Sequence, residues 1–169
     1  MVSEGDLMAT FKFEGVDNLL EQYNKLNNNH RSVMGTVIYN GAGVVMKEVD
    51  LRLKALIVDN SPYVSNGHYA HGPTSIQKKD LIESLGIAPL RNDHGFYNVK
   101  IGFNGYNDVE TNRWPNGQPN VLIARSVESG TSWMIKQPFM RSAEQAAKSK
   151  CEERMVQTFD EEIKKIIGD

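Results

Sequence analysis

Residues Val127 to Ala143, VESGTSWMIKQPFMRSA, gather more groups capable of chemistry than any other short stretch of this chain. Glu128 is a candidate general acid or base. Ser129, Thr131 and Ser132 offer hydroxyls around Gly130, but G-x-S-x-G is absent, and a serine nucleophile also needs a base and an orienting acid that no spacing supplies. Glu128 could equally bond nearby backbone N–H groups or an arginine. His68 and His71 stand three apart in HYAHGP, a spacing at which metal ligands recur. No cysteine lies nearby, and no glutamate is placed as in H-E-x-x-H, so a polar loop carrying imidazoles is the better reading. GFNGYN lacks the G-x-G-x-x-G order, and no Gly-Lys-Ser/Thr exists. Cys151, the one cysteine, lies mid-helix among alanines and glutamates and reads as a small packed residue. We therefore expect no catalytic residue, no metal and no cofactor.

These residues need elements to position them. A chain of 169 residues with 40% apolar and 24% charged residues suits one globular domain spanning 1–169. A net charge of −2 gives no basic excess for binding nucleic-acid phosphates. With one cysteine no intrachain disulfide is possible. MVSEGDLMATFKF lacks a basic region followed by an apolar run, and no stretch approaches 18 apolar residues. We expect neither a signal peptide nor a membrane span.

Phe11 and Phe13 alternate with polar neighbours and predict a short strand. Asp17 then reads as the cap of a helix carrying Val16, Leu19, Leu20, Tyr23 and Leu26, ended by NNNH. Residues 31–58 keep a helical period from Met34 to Leu56, although Asn40-Gly41 between β-branched residues is a hairpin signal. Length and period favour one long helix, with Gly41, Ala42 and Gly43 where a neighbour comes close. Two polar loops are expected, at 61–79 and 104–120. LIESLGIAPLR and GFYNVKIGFNGY read as β segments joined near NDHG. VLIARSVES predicts a short helix stopped by Gly130, and Pro138 suits the first turn of the last helix. In that helix the apolar positions from Phe139 to Ile166 take seven steps over 27 residues. Their mean spacing exceeds the helical 3.6, so the stripe drifts and needs a wrapping partner or two partners in succession. An ordinary curved helix on its own core also accommodates the drift. Trp114 and Trp133 fall beside loops, where exposure would mark a contact surface and burial a core.

The fold class predicted is α+β: a small, mostly antiparallel sheet packed against a long N-terminal helix region and a long C-terminal helix. The order of features resembles the neck and tail-component proteins of long-tailed bacteriophages, the family of the head–tail joining gene cluster. The resemblance rests on FEGVDNLL, LRLKALIV, GHYAHGPTSI, DLIESLGI and YNVKIGF in that order, then on Glu128, Gly130, Thr131, Pro138, Phe139, Met140, Arg141 and Ala143 before the closing helix. NGYNDVETNRWPNGQPN is longer than that pattern leads one to expect.

The resemblance implies a structural virion protein at the head–tail junction, made in the bacterial host cytoplasm. It implies self-association into a ring, with a hexamer expected from tail symmetry, and contact with connector, neck or tail proteins. DNA would at most pass through the lumen. Glu128, Gly130, Thr131, Trp133, Pro138, Phe139 and Arg141 become fold determinants that also face a neighbouring subunit. Tyr63, His68, His71, Tyr106 and Trp114 become loop contacts. A tail terminator capping the tail tube is the near alternative, and a small metal-dependent hydrolase using His68, His71 and Glu128 the distant one.

Overall fold

In a computed structural model the chain is α+β, and the structure describes residues 16–61, 70–110 and 112–168. The described residues form four helices, α1 (Val16–Lys54), α2 (Ser75–Ser84), α3 (Asn120–Ser129) and α4 (Phe139–Ile167), and four three-residue strands. These are β1 (Leu85–Ile87), β2 (Arg91–Asp93), β3 (Phe96–Asn98) and β4 (Ile101–Phe103). The expected strand at Phe11 and Phe13 lies outside the described residues.

Helix α1 has 39 residues, about 58 Å at 1.5 Å per residue. It settles the choice at Asn40-Gly41 in favour of a helix. It also corrects two expectations, because Asp17 stands inside the helix and NNNH does not end it. The asparagines are poor helix formers, but no proline or glycine interrupts the run before Gly35, and side chains bond back along it. Asn29 Nδ2 donates to Lys25 O at 2.8 Å. His30 Nδ1 donates to Asn27 O at 2.6 Å, and its Nε2 lies 3.1 Å from the Tyr97 hydroxyl. The C-terminus of α1 is closed by Lys78, whose Nζ donates to Lys54 O and Leu56 O, a cation on orphan carbonyls.

Helices α1 and α4 make the most extensive contact in the molecule. They run antiparallel, since Val49 and Leu53 share a core with Phe139 and Ala143, and Gly41 abuts Cys151 and Met155. A Cβ on Gly41 would stand 2.5 Å from Met155 Cγ, whereas one on Gly43 meets nothing within 4 Å. Of the two glycines expected at a close approach, only Gly41 is at one. The core takes residues from all four helices: Val49, Leu53, Leu81, Ile123, Val127 and Phe139 are buried in one cluster.

The β region departs from the expectation. LIES belongs to α2 rather than to a strand, and Ser75 to Lys79 are helical rather than loop. Thr74 accepts from Gln77 N, and Thr74 N donates to Gln77 Oε1, a capping box that starts a helix where apolar alternation alone reads ambiguously. The strands form two separate antiparallel pairs, not one sheet. β1 pairs with β4, Leu85 opposite Phe103 and Ile87 opposite Ile101. β2 and β3 form a hairpin turned at His94 and Gly95, both at positive φ (54° and 93°), the two-residue turn that matches strand twist. The turn falls within NDHG, where the sequence leads one to expect a join, with Asn92 and Asp93 still in β2.

The 104–120 segment is also less free than its polarity implies. Asn107 is buried, its N–H donates to Gln118 O, and its Oδ1 accepts from Gln118 N. Gly117, at φ 83°, lies so close that a Cβ there would stand 1.9 Å from Asn107 O. Asp108 N donates to the buried Asp80, Asn120 Nδ2 donates to Asn104 O, and Asn120 already belongs to α3. The base is part of the fold, while Asn112 and Arg113 are exposed. Removing residues 104–120 should abolish cooperative unfolding. Replacing only 109–113 with a short Gly-Ser turn should leave stability within about 0.5 kcal/mol. Denaturant titration of both variants checks this.

Candidate functional site

The 127–143 motif is a junction between two helices. Gly130, at φ 73°, stops α3, and a Cβ there would crowd Lys136 and Met134 O at 3.0–3.1 Å. Thr131 N donates to Met134 O, and Thr131 Oγ1 accepts from Trp133 N, so a tight turn follows. The chain then runs outside helix and strand to Pro138 and enters α4 at Phe139. Phe139 is buried, edge-on to Phe103 with ring centroids 6.0 Å apart.

Pro138 has no side chain that could satisfy the first N–H groups of α4. Glu128 supplies that function from the neighbouring helix. Its Oε2 accepts from Met140 N at 2.8 Å and its Oε1 from Arg141 N at 3.1 Å. A carboxylate here meets both the orphan donors and the positive end of the helix dipole. Both oxygens of the candidate acid–base residue are thus engaged in a structural cap. Arg141 contributes its backbone N–H to it, while its side chain is exposed. Gln137, which the sequence did not single out, is the second tie. Its Oε1 accepts from Ile57 N, and its Nε2 donates to Ile57 O and His71 O. Gly72 makes this approach possible, because a Cβ there would lie 1.9 Å from Ile57 O.

His71 is therefore brought to the motif, through its backbone. Ala70 bridges Met134 in parallel, with Ala70 N donating to Trp133 O and Ile135 N to Ala70 O. Tyr63 and His68 lie outside the described residues. Asp59 anchors the same corner: its Oδ1 accepts from Ser61 N, its Oδ2 accepts from His71 N, and the imidazole Nδ1 lies 3.4 Å away. These N–H groups hold the Asp59 carboxyl well below the usual carboxylate range, His71 first and Ser61 next. A depressed folded value means that the stabilisation is present above the ordinary value near pH 4 and is lost as pH falls below it. The loss of stability between pH 6 and pH 3 should accordingly be smaller in Asp59→Asn than in the parent protein. Thermal unfolding at the two pH values measures it.

Among the described residues, no three His, Cys, Asp or Glu side chains come together as a metal site. Burial, aided by the charge of Glu152, pushes the Cys151 thiol up, which keeps it protonated. No helix among the described residues is long and apolar enough to cross a membrane.

The second loop borders the motif at Gly130 and Thr131. Trp114 is half-buried, with the Arg113 guanidinium 5.8 Å from its ring centroid. Together with Leu122, Arg125 and Thr131 they line an open groove of about 420 Å³. Tyr106 is exposed at the loop base, bridged to Pro119. Trp133 is 57% exposed, a surface rather than a core residue. Sequence reasoning missed Gln137, Asp59 and both groove arginines. Only the Thr74–Gln77 box carried a readable local signal. Compared with family models, curated proteins and solved structures, the chain matches none.

Proposed function

We propose that this protein is a structural component of a phage head–tail junction, a neck or tail-completion protein that acts by self-association into a ring and by contact with adjacent connector or tail rings. One observation carries the self-association. From the crossing of Gly41 with Cys151 and Met155, α1 continues 25 residues to Val16, whereas α4 continues only 12–16 residues to Ile167. Helix α1 thus overhangs its partner by about ten residues, roughly 15 Å. That overhang carries Leu19, Leu20 and Tyr23, all more than half exposed. An isolated helical turn with such a face has little intrinsic stability and gains by covering it.

The motif supports the same reading. Glu128 ties α3 to the start of α4, Gln137 ties the segment before α4 to Ile57 just past α1, and Gly130 and Thr131 shape the turn between α3 and α4. Trp133 and, from the second loop, Tyr106 and Arg113 remain outward, contact residues presented on a rigid scaffold. The resemblance of the motif to phage neck and tail components supplies the setting. Electron microscopy of particles from a phage lacking this protein tests the proposal. Filled heads and unjoined tails are expected; normally joined, infectious particles would contradict it.

A further inference from the structure

Helix α4 has two apolar lines. The inner one, Phe139, Ala143 and Ala147, is buried against α1 and the core, continues through half-buried Cys151 and Met155, and ends at Thr158. Thr158 is buried with its hydroxyl donating to Arg154 O. The outer line begins as the stripe drifts. Val156 and Phe159 are 60% and 43% exposed, flanked by exposed Glu152 and Asp160. Glu152, Val156 and Asp160 are successive i, i+4 positions, so the four side chains share one face. Neither Glu152 nor Asp160 has an ion-pair partner among the described residues.

The groove beside α3 has the opposite character. Arg113 and Arg125 are exposed and likewise lack an ion-pair partner among the described residues. Trp114 and Leu122 give it an apolar floor, and Val121, 56% exposed, stands one turn from Arg125. Two cations around an apolar floor complement two carboxylates around an apolar ridge. The groove adjoins Gly130 and Thr131, near the start of α4, whereas the ridge centres 17 residues into that helix, about 26 Å along its axis. One copy cannot bring its own ridge to its own groove.

Resting on the ring reading above, we infer that the Arg113/Arg125 groove receives the Glu152–Asp160 face of α4 from a second copy of this chain. The two patches differ, so the contact is heterologous. Repeated head to tail it closes into a ring or runs on as a filament. Apolar contact between Phe159 and the Trp114 side of the groove supplies burial, and the two charge pairs set register.

Charge exchange tests this in the full chain by sedimentation velocity. Arg113→Glu with Arg125→Glu should weaken self-association about tenfold or more, as should Glu152→Arg with Asp160→Arg. Combining all four substitutions in one chain should return assembly close to the parent level, because the charges are complementary again. All four side chains are exposed, and circular dichroism should show unchanged helicity. If either double variant assembles like the parent, or the fourfold exchange does no better than the doubles, the groove assignment is wrong while the ring reading stands. A parent chain that stays monomeric by itself overturns the assignment as well. One that also ignores purified neck and tail proteins overturns the ring reading with it.

Discussion

Phe139→Ala should lower the free energy of unfolding by about 3–5 kcal/mol, while Phe159→Ala, on the same helix, should change it by less than about 1 kcal/mol. Both residues belong to the apolar sequence stripe of α4, and their surroundings differ. Phe139 is buried, packs edge-on against Phe103 and joins the cluster with Leu53 and Val127. Its truncation leaves a cavity where four elements meet. Phe159 stands on the outward line beside Val156. Its loss should show instead as weaker assembly. Denaturant titration and sedimentation of the two variants separate a core residue from an interface residue. Equal destabilisation by both would mean that the outer line is core.

Glu128→Ala should cost about 1–3 kcal/mol, because it removes a charged acceptor from two helix N–H groups. Glu128→Gln should recover part of this, since an amide offers one acceptor oxygen in place of two. Helix content should fall at the α4 N-terminus, which hydrogen exchange at Met140 and Arg141 would report directly. A catalytic Glu128 would behave differently, with stability unchanged and an activity lost. The magnitudes rank the two substitutions: filling volume at Phe139 outweighs capping at Glu128, and both exceed any change at exposed Arg141.

The sequence made the C-terminal third legible because its punctuation is local. Gly130 at positive φ and Pro138 ahead of Phe139 bound a helix stop and a helix start whatever packs around them. The drifting stripe of α4 was legible too, though not which residues turn outward, since that depends on where α1 lies. Three asparagines before His30 read as a break, yet the side chains of Asn29 and His30 donate back to Lys25 O and Asn27 O, and the helical register of α1 continues uninterrupted. LIES reads as strand on its apolar residues alone; the Thr74–Gln77 box decides for helix, and it was present in the sequence. The role of Glu128 was not legible, because a carboxylate near a turn can meet several partners. The turn at Gly130 to Met134 brings Met140 and Arg141 back to it, 12 and 13 residues later. Gln137 was invisible for the same reason, since it acts across 66 and 80 residues of chain, and Gly72 matters only because it lets Ile57 come close.

The central claim is that exposed apolar and charged faces at the far end of the α1–α4 pair and beside α3 are covered by further protein in an assembled ring. The most direct test is the molar mass of the purified chain by light scattering across a concentration series, by itself and with purified neck and tail proteins. A discrete multiple of the 19.0 kDa chain, formed by itself or on addition of those proteins, is the predicted result. A monomer at every concentration that remains a monomer in their presence would contradict it.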